Sequence, residues 1–215
     1  MNLSELNTQT QTKDSQSSIT PSIAMELLME GNKRFMDGKS VARDLHKQVS
    51  DTGSGQFPFA TVLSCIDSRV SSEIIFDQGI GDIFSIRIAG NFVNEDILGS
   101  MEFACKLAGT KVILILGHTS CGAVKGACDH AKLGNLTAML SKITPAVDSV
   151  LEPADQSERT SSNISFVNAV AQQNVKMTIE RIKNESPVLN EMLQSGDIEI
   201  KGGMYDIHTG RISLL

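Results

Sequence analysis

The 215-residue sequence has no basic stripe, no apolar run of membrane length and no dense set of cysteines. Its 19 Lys and Arg stand against 25 Asp and Glu, a net charge of −6, and the cations are scattered along the chain. Nothing in that distribution would neutralise a row of phosphates, which excludes nucleic-acid binding. Apolar runs such as Val112–Leu116 fall far short of the ~20 residues that span a bilayer, which excludes membrane insertion. The four cysteines, Cys65, Cys105, Cys121 and Cys128, are too sparse for a disulfide framework. Met1–Ser18 is rich in Gln, Thr and Ser and lacks the basic start and apolar stretch of a secretory signal. Residues 1–20 therefore read as a disordered or partner-docking arm in a reducing, cytoplasmic protein.

What is present suits one globular domain over residues 21–215, with 40% hydrophobic and 20% charged residues. Thr20-Pro21 reads as a helix cap followed by proline at the first helical position, and Ile23, Leu27, Leu28 and Phe35 continue it at helical spacing over Ser22–Met36. Residues 39–56 are polar and read as a surface excursion. Three short, apolar, β-rich runs follow: Phe59–Cys65, Ile83–Ala89 and Lys111–Leu116. Helical patterns occupy Ile97–Leu107, Gly122–Leu133 and a long stretch from Ile164 to Ile182, and Pro187 begins a shorter one that stops near Gly196. Residues 148–162 read as a linker between helices. Ile198–Lys201 and Met204–Ile207 read as terminal strands joined near Gly202-Gly203. Apolar strands alternating with helices predict an α/β fold, a mainly parallel central sheet flanked by helices, with an N-terminal helical arm.

Ligands of open α/β sheets bind beyond the carboxyl ends of the strands. Two of the expected strands end there in metal-ligand residue types: Cys65-Ile66-Asp67-Ser68-Arg69 and Gly117-His118-Thr119-Ser120-Cys121-Gly122. Cys65, His118 and Cys121 offer two thiolates and an imidazole, the donors that Zn²⁺ prefers. Three protein ligands rather than four leave a position for water or substrate. Taken singly, each reads better as a buried cysteine, a turn histidine or a helix N-terminal cysteine with no metal; suitable ligands at both strand ends of one sheet edge turn the reading to a metal. Asp67 and Arg69, two apart in a turn, can face one another, with the guanidinium clamping the carboxylate. That pair suits either an oriented acceptor beside a metal or a salt bridge that pins the loop. Gly79-Ile80-Gly81 lacks the third glycine of a dinucleotide loop, and Ala123 and Val124 stand where a phosphate loop needs Lys and Ser or Thr. Cys105 and Cys128 read as core packing, and His130 as a solvated helix residue.

Cys65-x-Asp67-x-Arg69 followed by His118-x-x-Cys121 resembles the signature of the β-class carbonic anhydrases. SCIDSRV at 64–70, RIAGN at 87–91, GSMEFA at 99–104, GHTSCGAVKGA at 117–127 and EGNKRF at 30–35 agree with it. The resemblance implies reversible hydration of CO₂ to bicarbonate and a proton by a zinc-bound hydroxide. One Zn²⁺ per chain would be held by Cys65, His118 and Cys121, with Asp67 and Arg69 as the catalytic pair and Asp67 a ligand only in a closed state. It implies self-association as a dimer or tetramer, with a cleft at the subunit interface lined by Gln56, Val70, Phe84, Phe103 and Gly122. Within the same fold, hydrolysis of carbonyl sulfide or carbon disulfide is the alternative activity; a non-catalytic zinc sensor is the alternative class. Some members hold regulatory bicarbonate with a Trp, an Arg and a Tyr. Arg87 and Tyr205 match two of these, but Val62 stands at the Trp position and the chain has no Trp. An open site, with Asp67 paired to Arg69 and little bicarbonate inhibition, is the expectation.

Overall fold

The computed structural model describes residues 9–215. Residues 1–8 of the expected arm lie outside the described residues. The rest of it includes a short helix, α1 (Lys13–Ser18), capped by the Thr12 hydroxyl oxygen, which accepts the Ser15 amide hydrogen. Buried Gln16 of α1 donates to the carbonyls of Pro58 and Ala108 at 2.7 and 2.8 Å, so this stretch lies on its own domain. Helix α2 (Pro21–Met36) begins as the Thr20-Pro21 pair predicts and buries Leu27 and Leu28. From its EGNKRF segment, buried Asn32 donates to the carbonyls of Ile75 and Gly210 and accepts the Ile212 amide hydrogen. Within the polar stretch 39–56 the structure holds a helix, α3 (Leu45–Thr52), where the sequence suggested only a surface excursion. Asp44 caps it, accepting from the Lys47 amide at 2.9 Å.

The strands and helices then alternate: β1 (Ala60–Ser64), α4 (Ser72–Ile75), β2 (Ile83–Arg87) and α5 (Glu95–Glu102). Helix α5 runs on into a π-helical turn, Phe103–Leu107. β3 (Val112–His118), α6 (Gly122–Cys128), α7 (Gly134–Leu140), α8 (Thr144–Ser149), α9 (Ile164–Glu185), α10 (Pro187–Gln194), β4 (Glu199–Tyr205) and β5 (Ile212–Leu214) complete the chain. The helix expected to reach Leu133 stops at Cys128, because His130 takes a left-handed φ of 51° that an α-helix cannot continue through. His130 is thus an exposed turn residue, not a helical one. The stretch 148–162 begins in the last two residues of α8 and runs toward α9, with the Arg159 guanidinium 4.9 Å from the Phe166 ring centroid.

The sheet has the order β2-β1-β3-β4-β5, parallel throughout except for the antiparallel β4–β5 pair. The two terminal strands expected at 198–207 are one strand, β4, with Gly202 and Gly203 inside it. A Cβ at Gly202 would come within 2.8 Å of Val175 Cγ1 and 3.0 Å of Ile179 Cδ1. The glycines therefore mark close packing of α9 on the strand, and the turn lies after Tyr205 instead. Alternate residues of the strands feed two apolar layers. Leu63, Ile113 and Ile115 pack with α9 and α10, while Val62, Leu114 and Leu116 pack with α2. Each fully buried Leu or Ile contributes about 1.5–3 kcal/mol relative to exposure, so both faces are secured. No helix among the described residues is long and apolar enough to cross a membrane.

Candidate metal centre

Parallel pairing of β1 with β3 puts both expected ligand loops at one sheet end. Ser64 pairs with Leu116, so Cys65 and the Gly117–His118 step leave the sheet side by side. Cys65 Sγ and Cys121 Sγ are 3.9 Å apart, and the donor atoms of Cys65, His118 and Cys121 all lie within 4.8 Å of one another. Two sulfurs bound tetrahedrally at ~2.3 Å to one zinc would be about 3.8 Å apart. All three residues are buried.

Each donor is oriented by its surroundings. His118 Nδ1 lies 2.9 Å from the Thr119 carbonyl, which fixes the proton there and frees Nε2. That Nε2 is buried without a hydrogen-bond partner among the described residues. Such an atom is costly unless something is bound to it, and a cation is what a bare imidazole nitrogen between two sulfurs accepts. Cys65 Sγ also receives the Gly90 amide at 3.4 Å. The hydrogen bond from Cys121 holds the Cys65 thiol down, while that same shared proton and burial push Cys121 up. The two sulfurs thus share one proton between them, an arrangement a dication would favour over two neutral thiols. The donor set fits zinc.

Beside the cluster, Arg69 Nε donates to Asp67 Oδ1 at 2.9 Å and Nη2 to Oδ2 at 2.7 Å. The Arg69 side chain, with help from its own amide, holds the Asp67 carboxyl well below the usual carboxylate range. Asp67 Oδ2 is 4.0 Å from His118 Nε2, so the ionised oxygen borders the space between the ligands. Arg87 Nε donates to the Cys65 carbonyl at 3.0 Å and Nη2 to the Asp67 carbonyl at 2.7 Å. Its guanidinium is occupied in bracing the ligand loop. Tyr205 is buried opposite His118 in the sheet register, and burial raises its hydroxyl pKa.

The remaining expected residues divide. Val70 is fully buried just beyond the Asp67 loop, and Gly122 opens α6 with open space where a Cβ would stand. Gln56, Phe84 and Phe103 are not brought to the cluster within one chain. Phe84 pairs with Thr61, three rungs before Ser64, and Gln56 precedes the amino end of β1. The Phe103 ring meets Phe84 edge-on at 6.3 Å and is 53% exposed. Two functional contacts escaped the sequence reading. Asn168 and Asn174, both on α9, hold the backbone of the His118–Cys121 turn and of the loop after β2, whose Gly90 amide meets Cys65 Sγ. Asn174 falls on the buried stripe between Ala171 and Thr178, where an amide needs a partner; that was the available signal.

A parallel α/β sheet whose strand ends present a Cys-His-Cys donor set beside an arginine-clamped aspartate defines a candidate zinc protein, and comparison with known proteins supplies the class. A profile of the family described as "Carbonic anhydrase" matches residues 60–212. "Carbonic anhydrase 2" of Mycobacterium tuberculosis is 34% identical over 204 residues, covering 90% of this chain and 92% of the relative. The carbonic anhydrase of Mycolicibacterium smegmatis is 33% identical over 201 residues, covering 90% and 93%. The solved structure of the beta-carbonic anhydrase CafA of Aspergillus fumigatus superposes with a TM-score of 0.72 at 26% identity, over 89% of this chain and 90% of that one. The chain belongs to the carbonic anhydrase family, in its beta class, whose metal is zinc.

Proposed function

We propose that this chain interconverts CO₂ and bicarbonate with one zinc held by Cys65 Sγ, His118 Nε2 and Cys121 Sγ. The observation that carries the reading is the buried three-donor cluster with an ionised, arginine-clamped carboxylate beside it. When bound there, zinc supplies a Lewis acid and a coordinated water with a pKa lowered toward ~7, a value known from carbonic anhydrases with three histidine ligands. Two thiolates in place of two imidazoles make this site less cationic, which places that pKa higher.

The chain's own groups do the rest. Asp67 Oδ2, kept deprotonated by Arg69, accepts a hydrogen bond at the mouth of the cluster and orients the nucleophile without storing its proton. The two bonds from Arg69 aim the carboxylate toward the guanidinium, which favours the open arrangement with Asp67 off the metal. Arg87 holds the backbone of the same loop, and Val62 is buried within β1, so the three-residue regulatory bicarbonate site is absent as a unit. Little inhibition by bicarbonate beyond product competition is expected.

Val70 and Gly122 flank the mouth in this reading. Gln56, Phe84 and Phe103 serve a substrate only across a contact between copies, in a homodimer or tetramer. Supporting this, β2 is an edge strand, and Phe103 and Leu107 expose apolar surface beside it. A cytoplasmic setting suits four buried, unpaired cysteines, two of them ligands. The test is a CO₂ hydration assay on the purified chain with and without a zinc chelator. Turnover that depends on one zinc per chain is expected; zinc-loaded protein that hydrolyses carbonyl sulfide but leaves CO₂ untouched overturns the assignment.

A further inference from the structure

Helix α9 does more than cover the sheet. Asn168 Oδ1 accepts the Ser120 amide hydrogen at 2.9 Å, and Ser120 sits between His118 and Cys121 with a left-handed φ of 55°. That conformation is unfavourable for serine, and the bond to Asn168 holds it. Six residues further along the helix, buried Asn174 Nδ2 donates to the Gly90 carbonyl at 2.7 Å. Gly90 in turn points its N–H at Cys65 Sγ, 3.4 Å away. Its φ is 82°, and a Cβ there would collide with Ile143 Cδ1, so only glycine can pass. The carbonyl and the N–H of Gly90 belong to different peptide units. Asn174 therefore acts by fixing the orientation of Gly90, not by polarising one amide.

We propose that Asn168 and Asn174 are positioning residues of the zinc site, which α9 uses as a two-point bracket. One asparagine sets the His118–Cys121 turn by accepting; the other sets the N–H donated to Cys65 by donating. The loops come from two different strands, and a single rigid helix of 22 residues spans both. The relative placement of the three ligands is thereby referred to one element. An N–H aimed at a thiolate also withdraws charge from that sulfur, leaving a bound cation more electrophilic. This inference rests on the assignment of Cys65, His118 and Cys121 as ligands.

Opposite hydrogen-bond roles give a test that a merely structural role would not pass. Zinc affinity of the full-length protein is measured by chelator competition, alongside thermal unfolding of the zinc-free form. Asn168→Ala and Asn174→Ala are each expected to weaken zinc binding roughly tenfold, within the range for lost ligand-orienting partners. Asn168→Asp retains the acceptor and is expected to stay within about twofold of the parent, whereas Asn174→Asp loses the donor and should be at least as weak as Asn174→Ala. Unchanged affinity in both alanine variants overturns the bracket, and so does Asn174→Asp matching the parent. If an alanine variant fails to fold without zinc, the Asp pair decides the matter on the same readout. Failure of the parent itself to bind zinc would remove the ligand assignment instead.

Discussion

Four buried cysteines fall into two pairs, and burial does not separate them. Cys65 and Cys121 stand in the loops beyond the carboxyl ends of neighbouring strands with their sulfurs 3.9 Å apart, where one shared proton holds the Cys65 thiol down and pushes Cys121 up. Cys105 and Cys128 are equally buried on helical segments, and burial pushes both thiols up to about 11. The aspartates repeat the contrast. Asp67, gripped by Arg69, sits well below the carboxylate range, while Asp82, buried with Oδ1 lacking a partner among the described residues, is raised by burial to about 6. Partners decide whether a buried group is chemistry or packing.

The sharpest way to break the comparison is to exchange cysteines. Cys65→Ser, Cys121→Ser and His118→Ala are each expected to lose zinc and roughly three orders of magnitude in CO₂ hydration, equivalent to about 4 kcal/mol. Cys105→Ala and Cys128→Ala should each keep one zinc per chain by metal analysis. A zinc-free Cys128→Ala protein would erase the distinction. A smaller loss, about 10–100-fold in turnover with zinc retained, is expected for Asp67→Asn and Arg69→Ala. Normal rates for Arg69→Ala between pH 7 and 9 would reduce the pair to a loop pin.

Turnover measured against pH should rise through a single transition above ~7, as the nucleophile ionises. Asp67 is already deprotonated throughout that range and adds no limb of its own. A flat profile between pH 6 and 9 would contradict this. The smallest effect concerns stability. Because the folded chain holds the Asp82 proton more tightly than the ordinary value of 3.8, stability falls as pH rises from about 4 to about 6, and the cost is fully present above that. Asp82→Asn should therefore stabilise the protein at pH 7.5 by about 1–3 kcal/mol, with the gain fading toward pH 4 in denaturant unfolding.

Much of this was readable in the sequence because the strands are short β-branched runs that end in ligand-type residues. Val112–Leu116 leads straight into Gly117-His118, and Phe59–Ser64 into Cys65. What misled were residues whose meaning depends on a distant neighbour. Gly202-Gly203 has turn composition, yet it is flat strand because Val175 and Ile179 lie against it. The α3 helix carries little apolar patterning, and its Asp44 cap was the one local sign. Phe84 lies on the edge strand β2, paired with Thr61 three rungs before Ser64, so its place in a cleft between copies depends on a contact that lies outside one chain. Asn168 and Asn174 are ordinary helix polar residues until the loops they hold are in place.

The pairing of Ala60 with Val112 also joins distant parts of the chain. β1 and β3 are far apart in sequence, a gap that long-range parallel pairing is in general slow to close. Until it closes, Cys65 and the His118–Cys121 turn are separate half-sites. In small zinc fingers the metal gathers its ligands and the fold follows. Here the sheet, with an apolar layer on each face, brings the three donors together, so the ligand geometry is written into the strand pairing.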